Sequence, residues 1–245
     1  MKEDLCLYDI HNHILWGVDD GARDKVMSLK MIDMAYEQGI RGIILTPHYN
    51  KRIWDISREE IIKKYNELKK DVDNMYPDMR LYVGNELYYS SGMEDYSDVI
   101  RMADSRYILV EFSVETEYKK MCEAVMKLIG NGCIAIIAHA ERYECLLKKP
   151  ELVDELVELG AYIQINAKSI EGDNGRRQKD LSKKLLKRHI VHFVATDAHR
   201  DKHRVPQIRG AFLYVKKKYG EEYARKIFVD NPKSIIRNEY IEEIL

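Results

Sequence analysis

The sequence predicts an α/β protein whose parallel strands close, or nearly close, into a barrel, and three observations carry that prediction. Short apolar runs alternate with helical patterns along most of the chain. The runs are continuously apolar rather than alternating, as expected of parallel strands covered on both faces. Polar residues fit for chemistry stand at the C-terminal end of almost every run, where the loops of a barrel converge. An open doubly wound sheet would place its site at a switch point between a few strands, with a glycine-rich first loop for a dinucleotide. Here the first loop reads DIHNHILWGVDDGA and contains no GxGxxG.

The elements follow in order. An apolar run over Leu5–Ile10 leads into the histidine-rich loop, and a helical pattern over Asp24–Gln38 stops at Gly39. The next run, Ile40–Leu45, ends in TPHY; a helix over Ser57–Met75 leads to Leu81–Val83 and GNE. Tyr107–Phe112 carries Glu111 near its end, and a helix over Lys119–Ile129 precedes Cys133–Ala138 and HAER. A helix over Glu151–Leu159 leads to Ala161–Ile165 and Asn166, and one over Gln178–Lys187 leads to Val191–Ala195 and TDAH. That makes seven strands. Two amphipathic helices, Ala211–Lys218 and Glu221–Phe228, cover the barrel, with a break and a short further helix at Asn231–Pro232.

Length and composition agree with one domain over residues 1–245, since a chain of this size buries roughly 70–75% of its extended surface around one core. With 40 Lys+Arg against 41 Asp+Glu, the chain lacks the basic footprint of a nucleic-acid binder. No apolar run approaches the ~20 residues of a membrane span, and MKEDLCLYDIHNH is not a signal peptide, so the expected location is cytoplasmic. Cys6, Cys122, Cys133 and Cys145 form no CxxC pair and head no phosphate-cradling loop, which excludes a cysteine-nucleophile phosphatase.

Asp9, His11 and His13 alternate as D-x-H-x-H at the end of the first strand. In extended backbone a two-residue period puts the three side chains on one side, so both imidazoles can face one metal ion while the Asp supports them. Asp19 and Asp20 offer hard oxygen donors shortly after. His48, Glu86, Glu111, His139, Asp197 and His199 stand at later strand ends. Each alone is compatible with a structural role, but Glu111 in an apolar run is costly to bury without a cation, and the whole set converges on one rim. Mixed imidazole and carboxylate donors suit Mn²⁺, Fe²⁺ or Zn²⁺, and the set exceeds what one ion needs. At least two ions sharing carboxylates point to hydrolysis, most naturally of a phosphoester, by a metal-bound water. His199 or Asp197 is the candidate acid for the leaving oxygen. Arg142 and Arg204 are candidates to fork onto phosphate oxygens. Arg23, Lys51, Arg52 and Arg200 are candidates to make the mouth positive, and Trp16, Tyr49 and Trp54 to stack on an aromatic leaving group. His189, His192 and His203 receive no role.

Taken in order, DIHNHILWGVDDGA, TPHY, GNELYY, DSRYILVEF, AHAERY and ATDAH resemble the PHP (polymerase-and-histidinol-phosphatase) superfamily. More narrowly they resemble the metal-dependent protein-tyrosine phosphatases of bacterial capsule and exopolysaccharide operons. The resemblance runs through INAKSI to the closing FVDNPKSI. It implies a distorted, TIM-like (β/α)₇ barrel and a centre of two or three ions, usually Mn²⁺, with Fe²⁺ or Zn²⁺ as alternatives. The implied substrate is the phosphorylated C-terminal tyrosine cluster of a membrane-associated bacterial tyrosine kinase that controls polysaccharide assembly. A homo-oligomer is left open. Residue by residue, His11, His13, Asp19, His48, Glu86, Glu111, His139, Asp197 and His199 fall on the family's metal positions, and Arg142 and Arg204 on its phosphate-contacting arginines. Asp9 is implied to stand behind the ligands. One departure is Arg204–Val205–Pro206 where the family commonly has Arg-Pro-Pro, which removes one φ constraint from that loop. The competing reading is a PHP-type phosphatase for a small phosphomonoester such as histidinol phosphate.

Overall fold

The computed structural model describes residues 5–90 and 96–241, so the ends expected for a domain over 1–245 lie outside the described residues. Nine strands, all paired in parallel, occur among the described residues: β1 (Leu7–Asp9), β2 (Ile40–Leu45), β3 (His48–Tyr49), β4 (Arg80–Val83), β5 (Glu86–Tyr88), β6 (Tyr107–Glu111), β7 (Ile134–Ile137), β8 (Tyr162–Asn166) and β9 (Phe193–Ala195). They form two curled sheets, ordered β1-β2-β4 and β3-β5-β6-β7-β8-β9.

The expected seven strands become nine because two of them break. Pro47 has no amide hydrogen, so the ladder cannot run unbroken from β2 into β3. The partner chain yields at the same level, at Gly84–Asn85, where the Gly84 amide donates to the Leu45 carbonyl at 2.8 Å and the Glu86 amide to the Pro47 carbonyl at 3.1 Å. Asn85 fills the gap by donating its side-chain amide to the Pro47 carbonyl at 3.0 Å. The break steers His48 and Glu86 into direct register, β3 against β5.

Both faces of the strands are covered, which accounts for their continuous apolar runs. Ile44, Tyr107, Leu109, Ile134, Ile136, Phe193 and Ala195 belong to an inner cluster. Their neighbours Ile43, Leu45, Ile108, Val110, Ala135, Ile137 and Val194 pack in an outer layer with helical residues such as Ile32, Leu68, Val125 and Leu185. The outer layer comprises α1 (Lys25–Glu37), α2 (Arg58–Met75), α3 (Tyr118–Gly130), α4 (Glu144–Lys148), α5 (Leu152–Glu158), α6 (Ala167–Glu171), α7 (Arg176–Lys187), α8 (Arg209–Tyr219) and α9 (Glu221–Arg225). Asp24 caps α1 by accepting from the Met27 amide at 2.9 Å, and Ser57 caps α2 by accepting from Glu60 at 3.2 Å.

At the chain end the expected break at Asn231–Pro232 is instead a wide π turn over Lys226–Asp230 that feeds α10 (Asn231–Arg237). Proline is tolerated there because first-turn amides have no intrahelical acceptor. Ile235 of α10 and Ile241 join the inner cluster beside the first residues of β6, β7 and β9, and the Tyr107 hydroxyl donates to the Glu239 carbonyl at 2.6 Å. The C-terminal segment thus fills the N-terminal end of the strands and leaves their C-terminal ends to polar side chains. There the last strand reaches the first: the Asp197 amide donates to the His11 carbonyl and the His13 amide to the Ala198 carbonyl, both at 2.8 Å. No helix among the described residues is long and apolar enough to cross a membrane.

Candidate metal centre

The loop after β1 sets two imidazoles side by side. Each has one nitrogen held from behind and the other aimed inward, which fixes the ring's orientation. His11 Nδ1 lies 2.9 Å from Gln164 Oε1, and its Nε2 faces Glu86 Oε1 at 3.1 Å and Asp197 Oδ1 at 3.6 Å. His13 Nδ1 lies 2.6 Å from Asp19 Oδ2, and its Nε2 faces Glu86 Oε2 at 3.2 Å and Asp197 Oδ1 at 3.7 Å. Asp9 touches neither ring. It is fully buried and accepts from the Thr196 amide at 2.9 Å and hydroxyl at 2.6 Å, tying β1 to the end of β9. Burial pushes its carboxyl up to about 6 against the pull of those bonds.

The two adjacent aspartates, both offered as donors by the sequence and Asp19 implied as a ligand by the resemblance, stand in different places. Asp19 is spent on structure: besides His13 it accepts the Gly21 amide at 2.8 Å and the His48 amide at 3.0 Å. Burial disfavours its charge, but the neighbouring His13 ring and its hydrogen bond bring it down to about 2. Asp20 presents Oδ1 to His48 Nε2 and His199 Nε2, each at 3.6 Å. Gly21 makes this turn feasible, because a Cβ there would stand 2.0 Å from the His13 carbonyl oxygen.

Glu86, at the start of β5, is the hub. Its carboxylate meets His11 and His139 Nε2 at 3.1 Å through Oε1, and His13 Nε2 at 3.2 Å and His48 Nδ1 at 3.1 Å through Oε2. Burial opposes its ionisation, but the His11 and His48 imidazoles hold it well below the usual carboxylate range. Glu111, at the end of β6, adds a second bridge, 3.2 Å from His139 and 3.6 Å from His48. Burial works against charge on His139, yet hydrogen bonds to Glu111 and Glu86 lift it to about 9. His199 goes the other way: burial, with His13 nearby, depresses it to about 2.

Asp197, after β9, closes the cluster and gathers the two arginines. Arg204 Nη2 donates to its Oδ1 at 2.6 Å, Arg142 Nη1 lies 3.5 Å from Oδ2, and Asn166 Nδ2 donates to Oδ2 at 3.0 Å. Burial raises its cost of ionisation, but His11 and Arg204 hold it well below the usual range. Arg142 and Arg204 line a cavity of about 280 Å³ with Lys168, Asn174 and Gln178. Three of these residues sit on left-handed backbone, with φ 33° at His139, 52° at Asp197 and 52° at Arg204. For L-residues such strain costs about 1–3 kcal/mol each. It is held by the His139 amide on Gln164 Oε1 at 2.8 Å, the Asp197 amide on the His11 carbonyl and the His199 amide on the Arg204 carbonyl.

Several peripheral expectations change. Arg200 does not open onto the mouth; its guanidinium turns inward and donates to the carbonyls of Asp20, Gly21 and His199, clasping the first loop to the last. Lys51 is matched by Asp98 at 2.5 Å. Trp16 and Tyr49 pack against the core, and of the three aromatics Trp54 alone lines a cleft beside the cluster. Sequence reading missed Gln164, which orients both His11 and His139; a glutamine inside the apolar run YIQIN was the available signal. It also missed Glu141, fully buried and bonded to the Asn166 amide at 3.1 Å and the Ser169 hydroxyl at 2.6 Å, which fastens α6 beneath the cavity.

The donor set fits divalent cations. His11 Nε2 and His13 Nε2 are buried and face carboxylates yet make no hydrogen bond. Lone pairs and carboxylate oxygens that confront one another in this way are suited to a shared cation. Four groups have ligand atoms all within 4.8 Å of one another: His13, Asp20, His48 and His199; His11, Glu86 and His139; His11, His13 and Asp197; and His48, Glu86 and Glu111. Their overlap at His11, His13, His48 and Glu86 is the pattern of neighbouring ions that share ligands.

Residues 7–237 match the family model for capsular polysaccharide synthesis proteins CpsB/CapC. The chain is 32% identical to a Streptococcus agalactiae protein named tyrosine-protein phosphatase CpsB, over 96% of this chain and 100% of that one. It is also 32% identical to tyrosine-protein phosphatase YwqE of Bacillus subtilis, over 96% and 93%. A crystal structure from work on YwqE of Bacillus subtilis and CpsB of Streptococcus pneumoniae, described as unique metal-dependent tyrosine phosphatases, superposes with a TM-score of 0.87 at 32% identity, covering 96% of each chain. Histidinol phosphate phosphatase of Lactococcus lactis superposes with a TM-score of 0.57 at 15% identity, covering 90% of this chain and 94% of that one, a likeness of fold alone.

Proposed function

The chain belongs to the CpsB/CapC family of metal-dependent tyrosine phosphatases, and from that premise we propose that it removes phosphate from phosphotyrosine on a cognate bacterial tyrosine kinase. The observation that carries the reading is the convergence of five imidazoles and four carboxylates on one rim, with buried ring nitrogens that make no hydrogen bond. The site is assigned to His11, His13, Asp20, His48, Glu86, Glu111, His139, Asp197 and His199 as ligands, with Asp19 orienting His13. Mn²⁺ is the proposed ion, in two or three copies. The proposal extends to a single domain over 1–245, a distorted (β/α)₇ barrel of the PHP type, a cytoplasmic location and a role in regulating capsule or exopolysaccharide assembly. The backbone bonds from the end of β9 to the end of β1 support the closed barrel.

Divalent ions bound there supply Lewis acidity and a water acidified toward neutral pH. The protein's own groups do the rest. Arg142 and Arg204 clamp the non-bridging phosphoryl oxygens from the Asp197 edge, in charge-assisted hydrogen bonds. Asp197, held ionised between Arg204 and the imidazoles, accepts rather than donates, and Asn166 fixes its second oxygen. A phenolic leaving oxygen, with a parent pKa near 10, demands less of a general acid than an alkoxide does. The decisive comparison is kcat/KM for a phosphotyrosyl peptide against histidinol phosphate. A clear preference for the peptide is expected, and a preference for the small phosphomonoester would overturn the reading.

A further inference from the structure

The cluster has a second opening, away from Asp197. A cleft of about 220 Å³ is floored by Asp20, His48 and Glu111 and walled by Ile53, Trp54 and Tyr88. Apart from Asn50 its walls are largely apolar, although its floor is two carboxylates and an imidazole. Ile53 is 66% exposed there, so its side chain is open to whatever enters the cleft. The turn that presents it is built: the Ile53 and Trp54 amides both donate to the Asn50 carbonyl, at 2.9 and 2.8 Å, and the neighbouring Lys51 is anchored by Asp98. On β5, Tyr88 follows Glu86 by two residues, so strand geometry stands its ring on the same face as the hub carboxylate.

We infer that this cleft receives the aromatic ring of the substrate, and that Ile53 and Trp54 are specificity-determining residues selecting aryl over alkyl phosphates. The inference rests on the phosphatase reading above. The cleft and the arginine cavity meet the same cluster, since His48 on the cleft floor faces Glu86 at 3.1 Å and His13 faces both Glu86 at 3.2 Å and Asp197 at 3.7 Å, so a phosphate held over the cluster by the guanidinium groups has the cleft open to its ester substituent. A phenyl ring in the cleft covers both side chains, whereas a seryl or threonyl phosphate brings no ring to them. Small apolar differences in such clefts discriminate on the order of 10–200-fold.

The test uses the metal-loaded full chain with two readouts. In kinetics, Trp54→Ala is expected to lower kcat/KM for a phosphotyrosyl peptide about tenfold more than for glycerol phosphate, and Trp54→Phe to restore most of the loss. In spectroscopy, the chain has two tryptophans, so the Trp16→Phe variant reports Trp54 alone. Its emission is expected to respond to benzylphosphonate and not to methylphosphonate. An equal fall on both substrates, or an equal emission response to both phosphonates, would overturn the inference. Failure of the wild type to hydrolyse the phosphotyrosyl peptide would instead overturn the phosphatase reading, and the emission measurement would still decide what the cleft holds.

Discussion

Replacing Arg142 by methionine isolates the contribution of one guanidinium while keeping an apolar stem of similar length in the 3₁₀ turn after His139. In the structure Nη1 stands 3.5 Å from Asp197 Oδ2, too long for a strong bond, so the group is oriented by Asp197 without being consumed by it. Losing one charge-assisted hydrogen bond to phosphate costs about 1.5–3 kcal/mol, which is roughly 10–150-fold in kcat/KM. The loss should fall on KM as well as kcat, since the phosphate is charged in the ground state too. Arg204 approaches the same carboxylate from the other oxygen, at 2.6 Å, so the double variant Arg142→Met/Arg204→Met should lose less than the product of the single losses. Steady-state kinetics on a phosphotyrosyl peptide, with metal content checked by elemental mass spectrometry, decides the matter. A single variant within twofold of wild type at full metal content would refute the assignment.

Three further outcomes are expected. Asp197→Ala and His199→Ala should each lower turnover by at least about 100-fold while Tm moves by only a few degrees, because rim groups contribute little to the core; a collapsed far-UV circular dichroism spectrum would contradict this. Chelation should abolish turnover, and Mn²⁺ should restore it and raise Tm through preferential binding to the folded state; near-wild-type rates in metal-depleted buffer would sink the proposal. His192, outside the cluster, accepts the Ile163 amide on Nδ1 at 3.1 Å, and burial, with Lys226 nearby, holds its pKa down to about 3 from 6.5. The unfolded chain therefore takes up the proton first as pH falls, and the folded state loses stability between about pH 6.5 and 3. At ~1.4 kcal/mol per pK unit, discounted because the ring is partly exposed, the loss is on the order of 2–3 kcal/mol. Denaturant melts across that window should show a shallower slope for His192→Asn, and parallel slopes would refute the linkage.

Legibility in the sequence followed physics. The strands Ile40–Leu45, Tyr107–Glu111 and Ile134–Ile137 were readable because both faces are apolar, and the rim histidines because each follows such a run. Two strand breaks were not read, although Pro47 marked one of them; the other follows from pairing, which no local pattern encodes. Asp19 and Asp20 are chemically identical neighbours, and it is the tertiary turn through Gly21, packed on the His13 carbonyl, that sets Asp19 on the His13 ring and Asp20 beside His48 and His199. Arg200 announced a charge but not its destination, since two of the three carbonyls it meets lie about 180 positions earlier in the chain. The short α6, which starts inside INAKSI and ends at Glu171, is invisible to periodicity, being five residues long and fastened by the distant Glu141.

The left-handed backbone at His139, Asp197 and Arg204 has a bearing on how the protein responds to selection. Glycine adopts such φ values freely, so at these three positions the residue most compatible with the backbone is the one that carries no chemistry. Thermostability and turnover therefore pull in opposite directions there. A library of the metal-free protein screened only for heat resistance should drift toward glycine at 139, 197 and 204, and should lose its activity as it does so.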